Sequence, residues 1–147
     1  MVHLPREVRD QLFDKFLARG EVLRVGNYPK LQTGPKDKFI ILLNHRFVPD
    51  KAIYHVLTTS QVEKIKVFPW FRRYAVVVPR GTATFFPLDT AIVCREVQNL
   101  SYEVLKGRYA DGTIQFVGKL PAMAMEQIDG ILKISPYVSP EIQEQIF

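Results

Sequence analysis

Leu4, Val8, Leu12 and Phe16 recur at every fourth position, flanked by Phe13 and Leu17, while Arg6, Arg9, Asp10 and Asp14 fall on the opposite side. Such a stripe is the mark of an amphipathic helix. Pro5 suits a first helical turn and Gly20 can take the positive φ of a terminator, which predicts a helix over about residues 5–19. Glu21-Val22-Leu23-Arg24-Val25 then alternates apolar and polar at the period of a half-buried strand, and Gly26, Pro29, Gly34 and Pro35 punctuate a loop. Phe39–Leu43 is a continuous apolar run. Ile53–Thr58, Tyr74–Val78 and Thr90–Val97 are further β-branched or aromatic runs bounded by Pro, Asp, Ser or Arg-Gly. About five strands at this spacing predict a small barrel or a strongly bent sheet.

Ser101–Tyr109 reads as a short helix that Ser101 caps, Asp111-Gly112 as a turn, and Ile114, Phe116 and Gly118 as a small further strand. From Pro121 the apolar positions Met125, Ile128, Ile131 and Leu132 return to helical spacing and stop before Ser135-Pro136. Ser139-Pro140-Glu141 opens a last short helix with Ile142 and Ile146 on its apolar side. The pattern is α+β: a β-barrel with an N-terminal helix and C-terminal helices. No repeat, low-complexity tract or linker divides residues 1–147, so a single domain is expected.

At 147 residues and 47% apolar, with ten Phe and six Tyr, the chain has the material for one packed core. No segment approaches the roughly 20 apolar residues of a membrane span, and Met1–Glu7 leads into the amphipathic pattern instead of a signal-peptide core, which predicts a cytoplasmic protein. The lone Cys94 has no thiol partner for an internal disulfide or a cysteine-based zinc site. It reads as a small buried apolar residue. The net charge of +5 suits an anionic partner, although basic residues spread along a chain serve solubility equally well.

Three blocks, in order, resemble the PemK/MazF family of toxin endoribonucleases. Gly20–Val25, a loop and Lys36–Asn44 are similar to that family's opening strand, variable loop and second strand. Val56-Leu57-Thr58-Thr59-Ser60-Gln61 resembles its strand ending in a hydroxyl pair. Asp89–Val97, then Ile114–Leu120 and the helix after it, resemble its closing strand, Gly-x-Leu turn and final helix. The resemblance implies an SH3-like barrel, a homodimer, metal-independent cleavage of single-stranded RNA with no cofactor, and a cognate antitoxin as partner.

Metal-free RNA cleavage needs a base for the 2′-OH, a cation for the charge on phosphorus, and a proton donor for the leaving oxygen. The resemblance implies Thr58 and Thr59 as hydroxyl donors, with Ser60 beside them on the RNA; threonines at a strand end also satisfy local backbone. Lys38 stands where the family has Arg, followed by Phe39 where it has Pro; an ammonium keeps the charge and loses the bidentate fork. A strand-edge solvated lysine is the alternative. Some members use a charged pair on the later strand, where this chain has Arg95 and Glu96. Adjacent strand residues face opposite sides and cannot serve one site without a bulge, and Arg95 is the favoured member.

Arg46 and the interleaved Trp70, Phe71, Arg72, Arg73 and Tyr74 suit phosphate contact and base stacking, the aromatics being equally suited to a core or an interface. His45 and His55 are possible acid–base groups, though a histidine within a strand is more often structural. The catalytic set expected is therefore Lys38, Thr58, Thr59 and Arg95, with Ser60, Arg46, Arg72, Arg73 and Trp70 on the RNA and no metal ligand. A non-catalytic RNA-binding or regulatory module on the same barrel, and a protein-interaction adaptor, are the competing functions.

Overall fold

The computed structural model describes residues 4–28 and 36–147; Met1, Val2 and His3 and the predicted loop residues Pro29, Gly34 and Pro35 lie outside that range. Helix α1 (Arg6–Phe16) leads into β1 (Glu21–Tyr28), β2 (Lys36–Leu42) and β3 (Ala52–Thr59). Two short helices, α2 (Val62–Val67) and α3 (Pro69–Arg72), precede β4 (Ala75–Val78) and the long β5 (Thr90–Ser101). Then come α4 (Tyr102–Ala110), β6 (Ile114–Lys119), α5 (Ala122–Ile134) and α6 (Pro140–Ile146). Among the described residues no helix is long and apolar enough to cross a membrane.

The strands form one antiparallel sheet in the order β4-β5-β3-β2-β1-β6. The expected α+β class is what forms, with the short run at Ile114 supplying a sixth strand. The two-residue period of each strand sends Val22, Ile41, Val56 and Ile92 to one face, where α5 lays Ala124, Ile128 and Leu132 over them and α6 adds Ile146. Leu23, Ile40, Leu42 and Ile53 turn to the other face, beneath Phe13 of α1 and Leu105 of α4. Burial on both sides is why β2 reads as an unbroken apolar run.

Helix α1 is held differently from its sequence stripe. Leu4, Val8 and Phe16 remain 37–43% exposed, and the anchor is Phe13, fully buried against Tyr102, Tyr109 and Phe116 at centroid distances of 5.6, 5.7 and 6.0 Å. Burying one such ring stabilises the packing of α1 by about 1.5–3 kcal/mol. The helix also ends at Phe16, before the predicted terminator, because Leu17 is already extended. Gly20 instead forms the turn into β1 at φ +89°, its N–H donating to Leu42 O at 2.8 Å. Helix α4 begins as the sequence predicts, the Ser101 hydroxyl accepting from the Val104 N–H at 3.0 Å.

The sheet curls into a half-barrel rather than lying flat. After the edge strand β4, the connection to β5 carries Phe85 and Phe86 across the curl; Phe86 enters the core against Phe39, and the Phe85 ring lies on Gly118 of β6, the opposite edge. Gly118 has φ +154°, and a Cβ there would sit 2.8 Å from two carbons of that ring. Replacing Gly118 with Ala should therefore force Phe85 away and destabilise the protein by about 1–3 kcal/mol in urea unfolding; an unchanged midpoint would show that the ring does not pin the two edges.

Candidate active site

Strands β2, β3 and β5, with α3, surround a cleft of about 310 Å³. By strand alternation Lys38, Leu57 and Thr59 rise on the same sheet face as Ile40 and Leu42, the face that carries α1 and α4. Leu57, Val93 and Phe71 give the cleft apolar walls, while Lys38, Thr59, Arg95, Glu96 and Gln98 supply its polar groups. All four residues expected to be catalytic thus border one cavity.

Their roles differ from the expectation at Thr58. Its side chain is 4% exposed and its hydroxyl donates to the Phe39 carbonyl at 3.0 Å, so that proton is committed to the neighbouring strand. What Thr58 contributes is its carbonyl, which accepts from the Lys38 ammonium at 3.0 Å. That bond, together with partial burial, aims a flexible lysine into the cleft. The Thr59 hydroxyl accepts from the Gln61 N–H at 3.1 Å, which orients it without using its proton.

Arg95 and Glu96 both reach the cleft because β5 bulges. Between the pairs His55–Gln98 and Leu57–Val93, β3 advances two residues while β5 advances five, leaving three extra residues on β5. The Arg95 guanidinium then passes beyond the start of β4 and lies between two rings, 4.5 Å from the Tyr137 centroid and 5.1 Å from that of Trp70. Trp70 in turn stacks on Phe71 at 4.0 Å. The Arg95 Nε is buried without a hydrogen-bond partner among the described residues. An arginine braced by rings rather than by carboxylates keeps its terminal nitrogens available to an anion.

The remaining candidates are dispersed. Arg72 and Arg73 are exposed on and just after α3, and Ser60 is exposed where β3 ends, so all three flank the cleft without lining it. Trp70 acts through Arg95. Arg46 lies on the β2–β3 connection, at the end of β2 opposite Lys38, and the structure does not bring it to the cleft. Gln98 and Tyr137 are groups that the sequence did not suggest, and Glu96, weighed there beside Arg95 and not favoured, also borders the cleft. A strand-like run gives no sign of the bulge that turns Glu96 inward, and Tyr137 sits in an α5–α6 turn that only tertiary packing brings to Arg95.

His55 is structural. It is wholly buried, its Nδ1 faces the Ile53 carbonyl at 3.3 Å, and its Nε2 meets the Tyr28 hydroxyl at 2.6 Å. A carbonyl only accepts, so Nδ1 carries the proton and Nε2 receives the phenol's. Burial pushes the Tyr28 phenol up to about 12, keeping it a donor. Cys94 is also buried, its thiol pushed up to about 12 by burial and by the Asp129 carboxylate.

No protein-family model matches the chain, and no curated protein matches it significantly. Any chemical assignment therefore starts from the cleft. Because the Tyr28 hydroxyl meets His55 Nε2 inside the core, Tyr28→Phe should destabilise the fold by about 1–3 kcal/mol in chemical denaturation. It should leave the affinity of the cleft for an anionic ligand unchanged within twofold, and a selective loss of that affinity in a fully stable variant would make His55 a site residue.

Proposed function

We propose that the cleft is the site of a metal-independent endoribonuclease that cuts single-stranded RNA through its own 2′-hydroxyl, acting as the toxin of a toxin–antitoxin pair. The observation that carries this reading is the convergence of two cations, Lys38 and Arg95, with a hydroxyl, Thr59, and a carboxylate, Glu96, at one cavity. The curled sheet and its strand order support an SH3-like barrel as the scaffold, and the sequence blocks supply the toxin assignment.

In this reading the Glu96 carboxylate takes the 2′-OH proton, and the 2′-oxygen attacks phosphorus. Arg95 presents its planar fork to the non-bridging oxygens, and Lys38 adds a point charge where the phosphorane gathers negative charge. The P–O5′ bond breaks, and the leaving oxygen receives a proton from water ordered by Thr59. The products are a 2′,3′-cyclic phosphate and a free 5′-hydroxyl, which DNA cannot yield because it lacks the attacking group. The exposed Arg72 and Arg73 hold flanking backbone. The edge strand β6, paired among the described residues only with β1, offers a homodimer a strand to cover.

Incubation of pure protein with a long single-stranded RNA and a chelator tests the reading. Discrete fragments ending in cyclic phosphate are expected, with the equivalent DNA intact. Lys38→Ala should slow single-turnover cleavage by roughly two to three orders of magnitude and Lys38→Arg should retain it; Glu96→Gln should cost about 10²–10⁴-fold. A mobility shift without fragments would reduce the site to RNA binding, and neither effect would end the RNA reading. Light scattering that returns only the 17.0 kDa monomer at high concentration would remove the dimer.

A further inference from the structure

Beside the cleft lies a second cavity of about 280 Å³, between α2 and β5. The two share Thr59, Phe71 and Val93 as a common wall. Their characters are unlike. The first is charged, whereas Ile65, Phe68, Phe71 and Val93 make the second an apolar slot. Among the described residues its polar side chains besides Thr59 are Gln61 and Lys64, both solvent-exposed and so placed at the rim.

The surroundings select among occupants. Val67, Phe68 and Trp70 are 47–69% exposed within four residues of chain, more apolar surface than so short a segment normally leaves in water. The same stretch, residues 62–74, carries Lys64, Lys66, Arg72 and Arg73 against the single acid Glu63. Apolar rings set among cations match a ligand that is aromatic and anionic at once, which describes an unpaired nucleotide.

We propose that this slot is a nucleobase subsite: one unpaired base of the strand whose phosphate occupies the Lys38–Arg95 cleft inserts against Phe71, and Lys64 reads its edge. The inference rests on the RNA reading of the cleft and adds a specificity determinant to it. An ammonium only donates, so it favours a base presenting carbonyl acceptors, guanine or uracil, and leaves the adenine amino group facing another donor. Adjacency of the two cavities through Thr59 and Val93 is what one nucleotide step requires, with the phosphate on charged ground and the base on apolar ground.

The test uses full-length protein and five 2′-O-methyl RNA pentamers that resist cleavage, of the form AAXAA with X guanine, uracil, cytosine, adenine or an abasic site, titrated by fluorescence anisotropy. Guanine and uracil should bind about tenfold more tightly than adenine or the abasic site. Lys64→Ala, a change at an exposed helix position, should bring the four bases within twofold of one another while all four still bind more tightly than the abasic pentamer. Equal affinity of the unmutated protein for all five, abasic included, overturns the subsite while sparing the RNA reading, and assigns the apolar slot to a protein partner. Retention of the preference by Lys64→Ala also overturns it. Failure to bind any pentamer removes the RNA reading and the subsite together.

Discussion

Arg19, in the turn between α1 and β1, sends its two terminal nitrogens to the two oxygens of Asp129 on α5, at 3.0 and 2.7 Å, and shares its Nε between the carbonyls of Leu43 and Ile146 at 2.9 and 3.0 Å. One guanidinium thus ties the turn into β1, the end of β2, the long C-terminal helix and the last helix. Both partners of the ion pair are only about a quarter exposed, so water screens their attraction less than it would at an open surface. Lysine could not replace this residue, because the planar fork is what satisfies the carboxylate and the backbone at once. With α5 and α6 fixed against the sheet, the turn between them holds Tyr137 over Arg95. The cleft is built from the far end of the same chain of contacts.

Two irregularities turn an ordinary two-sided sheet into a site. The three extra residues in β5 break the alternation that would have hidden Glu96, and they carry Arg95 past the short strand β4 into its aromatic cage. The Phe85–Gly118 contact draws the opposite edges of the sheet toward one another. A flat sheet of the same strands would leave Lys38 and Arg95 on a plane; a bulged and curled one sets them around a cavity.

Most strands and the longer helices are legible in the sequence: β1 by its alternation, β2 as an unbroken apolar run, α4 by its Ser101 cap and α5 by helical spacing of its apolar residues. Helices α2 and α3 are not, since six and four residues hold too few turns for a period and their apolar residues mimic strand composition. For the site, the family resemblance of the sequence nominated Lys38, Thr59 and Arg95. Atomic detail changed what each does. Thr58 spends its hydroxyl on the adjoining strand, a choice between two acceptors that no spacing can reveal. Arg46 falls at the wrong end of β2, which follows from strand length once the sheet is known.

Trp70 is the only tryptophan in the chain, and it belongs to α3, a helix in which no residue is buried. Intrinsic fluorescence of this protein is therefore a signal from one exposed corner rather than from the core. Its emission will follow loosening of the Phe71–Trp70–Arg95 stack, a local opening that can precede collapse of the sheet. Backbone circular dichroism will follow the sheet and helices instead. A fluorescence melt that runs ahead of the dichroism melt would mark a frayed rim on an intact sheet, not a folding intermediate, and two-state stabilities for this molecule belong to the dichroism curve.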